Sequence, residues 1–371
     1  MTHHPRVALV HERFTEVAGS ENVVEQLSME WPDASVRVPI ARPGGVPAGL
    51  SVPPCTSACL DGLYRLSGQR SYAPLLPLLP LTFRRMPLRD ADVVLTSHHA
   101  FGTQAVFATD APVVAYVHSP ARWAWDADLR AGEAGGRLGE LALTALASRT
   151  RRGELAAAPR LARIIANSTA VAQRVEKCWG RSAEVVFPPV NTEFYTPDPS
   201  VERQDFFLLA GRLVPYKRAD LAVRAAKIAD VPLVVAGDGR FLQRCRELAG
   251  PRTTFLGRVS DARLRELHRT SRALLMPGVE DFGIVPVEAM ACGSPVLALD
   301  EGGALDSVLP GVTGQLITHG TEAAVVDGFA KAMAAFRPAT YDPQEIRVRA
   351  ERFSQHVFRS TMRTVVEEVT G

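Results

Sequence analysis

Short, fully apolar runs alternate with longer amphipathic stretches along almost the whole chain, and this rhythm constrains the fold more than any other feature. Parallel strands joined by crossover helices produce such a pattern, because a strand covered on both faces has no polar face to alternate with an apolar one. Strands are expected at Arg6–Val10, Val36–Pro39, Asp92–Thr96, Pro112–Val117 and Arg163–Ala166, with helices over Ser20–Trp31 and Gly136–Ala158. The rhythm resumes at Asp205–Ala210, Val231–Ala236, Thr253–Leu256, Arg272–Met276, Pro295–Ala298 and Gly314–Ile317. Helical connections there fall near Ala219–Ala229, Arg240–Ala249, Asp261–Arg269, Pro286–Cys292 and Glu322–Phe336. A chain of 371 residues exceeds the usual single domain, so two doubly wound α/β halves are expected. Pro188-Pro189 and the polar, proline-rich Thr196–Ser200 predict a linker near 190–203.

Composition narrows the function classes. Lys and Arg total 42 against 40 Asp and Glu, a net charge of +2, which speaks against nucleic acid as the main partner. Five cysteines without a paired metal-site spacing exclude a disulfide scaffold and suggest a reducing compartment. No apolar run is long enough for a signal sequence or a membrane span, so a cytoplasmic protein is expected. The stretch Ala73–Met86 is apolar, broken by prolines and basic at its end. It reads as a packed loop; the sharper reading is a surface that touches a membrane or a lipid-linked substrate at the inner face of that membrane.

Chemistry-bearing residues gather at expected strand ends, where open α/β sheets bind ligands. Gly211-Arg212 and Lys217 follow the strand ending at Ala210, and two cations there suit a diphosphate. Most basic side chains are solvated surface charge, but only four lysines occur in this chain, so Lys217 is not one of many. After the strand ending near Met276 comes Glu280-Asp-Phe-Gly283-Ile-Val-Pro286-Val-Glu288. Pro286 marks a helix start, which points the amides of Gly283, Ile284 and Val285 at an anion. Glu280 and Glu288 are acceptors for the hydroxyls of sugar or ribose. In the first half His118 ends a buried strand just before Ser-Pro, and Gly19 opens a helix after the first strand. Gly237-Asp-Gly239 is compatible with a plain tight turn, and Ser97-His98-His99 ends a strand with its ring directions undetermined. No Asp-x-Asp pair occupies a suitable strand end, so no metal and no cofactor are expected.

These residues, with Phe255–Asp261 (FLGRVSD), resemble the retaining glycosyltransferases of family 4. The segments 116–126 and 214–220 are most similar to a mannosyltransferase subgroup around WbaZ. The resemblance implies the GT-B fold: two facing Rossmann-like, doubly wound domains with the site between them and a C-terminal helix crossing back to the first. On this chain the expected parts are an acceptor-binding domain 1–195, a nucleotide-sugar-binding domain 196–350, and a returning helix in 351–371. The resemblance implies a nucleotide-sugar donor, GDP-mannose, and a glycan, lipid-linked or small-molecule acceptor. Arg212 and Lys217 then neutralise the diphosphate and Glu288 binds ribose. Glu280 and the Gly283–Val285 amides hold the sugar, with Phe282 in the same segment. Arg258 and Val259 meet the base, His118 contacts the transferred sugar, and Gly19 approaches the phosphates or the acceptor. Many relatives carry paired glycines where this chain has Ala18-Gly19. A UDP-sugar donor and a nucleotide-sugar epimerase of the same fold are the alternatives.

Overall fold

The computed structural model describes residues 5–127, 130 and 136–371. It divides into two compact units, Met1–Pro189 with Phe358–Gly371, and Val190–Val357.

The first unit holds seven strands: β1 (Val7–His11), β2 (Ser35–Val38), β3 (Cys55–Thr56), β4 (Val93–His98), β5 (Val113–Val117), β6 (Arg163–Ala166) and β7 (Glu184–Val185). All pair in parallel, in the order β3-β2-β1-β4-β5-β6-β7. The central strands are buried along their full length, which is why their sequences do not alternate. Their successive side chains feed two cores. Ala8, Val10, Val94, Ala115 and Val117 join one apolar cluster, while Val7, Leu9, Leu95, Val114 and Tyr116 join another on the opposite face. The second cluster is closed by Val23 and Leu27 of the helix Gly19–Glu30, and by Phe358, Met362, Val365 and Val366 of the last helix, Gln355–Thr370.

The second unit repeats the plan with β8 (Phe207–Ala210), β9 (Leu233–Ala236), β10 (Thr253–Gly257), β11 (Leu274–Met276), β12 (Val296–Leu299) and β13 (Gly314–Ile317). Their order is β10-β9-β8-β11-β12-β13, again all parallel. Helix starts are set by side-chain caps: Ser260 accepts from the Arg263 amide and Thr321 from that of Ala324. In each sheet the strand order reverses once, between β1 and β4 and between β8 and β11. Those reversals are the points at which open α/β sheets leave room for ligands. Two doubly wound Rossmann-like units are the arrangement of the GT-B fold.

The structure departs from the sequence expectation in places with clear causes. Ala73–Met86 is not a loop: a 3₁₀ turn, Ala73–Leu78, runs into a helix, Leu79–Arg84. Pro80 lies in the first turn of that helix, where no amide hydrogen bond is lost. Leu79 and Phe83 are buried while Leu78 and Leu81 stay exposed. Residues 190–203 do not form a free linker. Val190 donates its amide to Phe353 and accepts from Gln355, and Arg269 binds the Thr196 carbonyl, so the segment is bonded into the second unit. Helices Ala58–Leu66, Thr169–Trp179 and Pro343–Glu351 were not anticipated from the apolar rhythm.

Candidate active site

In the second unit the site is built at the β8/β11 reversal. The chain leaves β8 through Gly211 at φ +124°, in the region that favours glycine. Residues 211–213 then lie against the Gly237–Gly239 turn, with the Leu213 amide donating to the Asp238 carbonyl at 2.8 Å. A Cβ on Gly237 would stand 1.9 Å from the Gly211 carbonyl oxygen, so this turn is more than a plain reversal: its bareness lets two strand-end loops touch. A 3₁₀ turn, Pro215–Lys217, then delivers Lys217. Its backbone lies on Gly278, where a Cβ would come within 2.5 Å of the Lys217 carbonyl oxygen. The Lys217 ammonium meets the Glu280 carboxylate at 3.0 Å, with both side chains about four-fifths buried (18% and 22% exposed). The neighbouring Arg218 is committed elsewhere, to Asp220 and Glu322.

Gly211, Arg212, Lys217, Gly278, Glu280 and Val285 line one cavity. Arg212 is exposed at its rim. Gly283, at φ +88°, turns the chain into the helix Ile284–Ala291, whose first amides have no acceptor one turn earlier and form a partial positive charge. Glu288 lies one turn further along. Burial, reinforced by Asp261, pushes its carboxyl up to about 7, with Lys217 pulling the other way. Phe282 does not face this cavity; it is buried with its ring 5.5 Å from that of Phe353. Arg258 and Val259 lie in the turn after β10, at the edge of the sheet, and Asp261 from the following helix is the neighbour felt by Glu288. The sequence reading missed Gly302 and Gly303. Gly303 donates its amide to the Glu280 carbonyl at 2.9 Å, and a Cβ there would lie 2.2 Å from the Phe282 carbonyl oxygen. The Gly302-Gly303 pair, separated from the end of β12 by two residues, is the signal that could have shown it.

In the first unit polar groups crowd the β1/β4 reversal. Glu12 is buried, and its Oε1 accepts from the amides of His99, Ala100, Phe101 and Gly102 at 2.6–3.2 Å. Burial acts to raise this carboxyl, but His98 and the donated amides outweigh it and hold it below the usual range. The two histidine rings left undetermined, with Ser97 before them, separate cleanly. Ser97 bonds both His11 and His118, His98 turns inward to Glu154, and His99 stacks on His118 with ring centroids 4.4 Å apart. Burial and then His11 push the His118 pKa down to about 3, so its ring is neutral. Gly19 is the opening residue of its helix, where Glu21 accepts from the Ala18 amide at 3.0 Å. A separate cavity of about 400 Å³ is lined by Leu81, Arg84, Phe101, Gln104, Arg149 and Arg152, and among the described residues no carboxylate contributes to it. Among the described residues no group of three or more His, Cys, Asp or Glu is placed to hold a metal ion, and no helix is long and apolar enough to cross a membrane.

Residues 17–194 match the model of Glycosyltransferase Family 4, and residues 192–336 match that of Glycosyl transferases group 1. Together the two glycosyltransferase models run from residue 17 to residue 336. The two family matches adjoin at residues 192–194, close to the division between the structural units. Among curated proteins, the D-inositol 3-phosphate glycosyltransferase of Gordonia bronchialis is 30% identical over 224 residues, 52% of this chain and 49% of that protein. That of Mycobacteroides abscessus is 35% identical over 161 residues, 38% of this chain and 36% of that protein. The chain thus matches about half or less of the length of these relatives. Among solved structures, Anabaena HepE in complex with UDP and glucose is 19% identical with a TM-score of 0.71, covering 98% of this chain and 100% of that one. The lipopolysaccharide outer core galactosyltransferase WaaB is 18% identical with a TM-score of 0.66, covering 98% and 99%. These structural likenesses establish the GT-B fold.

Proposed function

We propose that the chain is a retaining hexosyltransferase that moves a sugar from a nucleoside diphosphate to a hydroxyl of a glycan, lipid-linked or small-molecule acceptor. The observation that carries this reading is the Lys217–Glu280 pair, set beside Gly211 and the first turn of the helix Ile284–Ala291 at the β8/β11 reversal. Breaking a sugar–phosphate bond returns negative charge to the diphosphate, and groups that stabilise this charge more in the transition state than in the ground state accelerate the step. Arg212, Lys217 and the Gly283–Val285 amides take that role. Glu288 receives the ribose hydroxyls, the backbone at Arg258-Val259 meets the base, and Glu280 holds the sugar. Phe282 contributes through its backbone, since its ring is buried. His118 contacts the transferred sugar, and Gly19 approaches the phosphates or the acceptor. The leaving phosphate helps to deprotonate the acceptor on the same face of the sugar. Pairing with Lys217 holds Glu280 in place for this positioning role, and covalent attack by its carboxylate is the competing route.

For the donor, the HepE complexes with UDP, glucose and UDP-glucose favour a UDP-hexose. GDP-mannose is the second reading, supported by the resemblance of segments 116–126 and 214–220 to the WbaZ-like mannosyltransferases. On the acceptor side, the cavity with Arg84, Arg149 and Arg152 suits an anionic group beside an apolar one. A thermal-shift panel of UDP-, GDP- and ADP-sugars tests the reading. Stabilisation by a UDP-sugar is expected, and release of nucleoside diphosphate only when an acceptor is present separates transfer from epimerisation. No stabilisation by any nucleotide sugar would overturn the proposal.

A further inference from the structure

Four side chains from separate parts of the first unit form one hydrogen-bonded file. Glu21 Oε1 lies 3.1 Å from His11 Nε2, His11 Nδ1 lies 3.0 Å from Ser97 Oγ, and Ser97 Oγ lies 2.8 Å from His118 Nε2. All four residues are buried. The ring of His99 lies flat on that of His118 and Tyr116 meets its edge, so the plane of the His118 ring is fixed as well.

We propose that Glu21, His11 and Ser97 are positioning residues that set the tautomer of His118, leaving its Nδ1 lone pair to accept from a sugar hydroxyl. The inference rests on the proposed contact between His118 and the transferred sugar. Donor and acceptor roles follow one another along the file. Burial acts to raise the Glu21 carboxyl, but its bonds to His11 and then Ser20 hold it below the usual range, so it is an acceptor. His11 Nε2–H then donates to it, which leaves the imidazole lone pair on Nδ1 facing Ser97. Ser97 donates its hydroxyl proton to that nitrogen, and its oxygen accepts from His118 Nε2–H. The proton of His118 is therefore on Nε2, and Nδ1 is bare. Among the described residues no protein group bonds that Nδ1. A proton added to His11 would reverse the order. His11 would donate from both nitrogens, Ser97 would donate to His118 Nε2, and His118 would carry its proton on Nδ1. The charged and titratable groups around the file are Glu12, Arg13, His98, His99 and Tyr116, and the Glu21 carboxylate fixes a proton on His11 Nε2 at its far end.

The test is nitrogen NMR of the full chain labelled at histidine, with the His118 signals assigned by their loss in His118→Gln. A bare Nδ1 and a protonated Nε2 are expected in the native protein. Ser97→Ala should give a mixture of tautomers and lower kcat by about 10–100-fold, the usual cost of losing an outer partner that orients a histidine. Affinity for the free nucleoside diphosphate, which lacks the sugar, should be unchanged in that variant. Ser97→Thr, which keeps the hydroxyl, should restore both tautomer and rate, and serves if the alanine variant fails to fold. A native His118 protonated on Nδ1, or a tautomer unaltered in Ser97→Ala, overturns the assignment. The expected tautomer in a chain that transfers no sugar would leave the file standing and sink the proposed reaction instead.

Discussion

Glu288 gives the proposed nucleotide site a pH signature with a definite sign. Its carboxyl is pushed up to about 7, chiefly by burial. At pH 8 about nine-tenths of the unliganded protein therefore carries the carboxylate, and at pH 6 about one-tenth. Ribose hydroxyls donate to the ionised form, so ligand binding draws on that fraction alone. Affinity should fall roughly tenfold between pH 8 and pH 6, about 1.4 kcal/mol. Stability of the unliganded chain should move the other way. A folded-state pKa above the unfolded value means the group's contribution is present at low pH and is lost as pH rises from about 4.5 to about 7. Isothermal titration with the nucleotide sugar chosen by the thermal-shift panel measures the first effect, because its diphosphate has no group titrating in this range. Glu288→Gln should bind more weakly at pH 8 and show a flat profile. Equal affinity at pH 6 and pH 8, or a Gln variant that keeps the slope, would refute the reasoning.

Three further outcomes follow from the same geometry. Lys217→Ala should lower kcat by about 10²–10³, the usual effect of losing one preorganised donor at a developing charge, while the acceptor KM changes little; near-normal turnover removes the leaving-group role. Reversing charge with Arg149→Glu and Arg152→Glu should raise the KM for an anionic acceptor and leave donor affinity unaltered, which steady-state kinetics with each substrate varied in turn will resolve. Phe358→Ala should destabilise the first unit by about 3–5 kcal/mol in urea unfolding, because its ring is buried in the sheet-face core with Tyr116; a loss under 1 kcal/mol would mean the last helix adds little to that core.

Much of the second unit's candidate site can be read from the sequence because its parts lie in two continuous segments. Arg212 and Lys217 are five residues apart, and Glu280 to Glu288 spans a single turn into a helix. The file in the first unit was not legible, because it is made by strand register. In the β1/β4 pairing His11 stands opposite Ser97, and in β4/β5 His98 stands opposite Val117, which brings His99 beside His118. No local pattern in the sequence carries that information. The same holds for Glu12, which reaches amides 87–90 residues away. Strands β3 and β7 escaped notice for a different reason: each has two residues with no fully buried side chain, so neither leaves an apolar run. Helix Thr169–Trp179 had readable ends, a capping Ser168 and a left-handed Gly180.

The central claim is that a guanidinium, an ammonium and the first turn of a helix grip a diphosphate at the β8/β11 reversal. A crystal structure of the chain with the selected nucleotide sugar tests it most directly. The account predicts phosphate oxygens within hydrogen-bond distance of Arg212, Lys217 and the amides at Gly283–Val285, with the ribose on Glu288. A nucleotide bound elsewhere, or one bound here with Arg212 and Lys217 both turned to solvent, would contradict it.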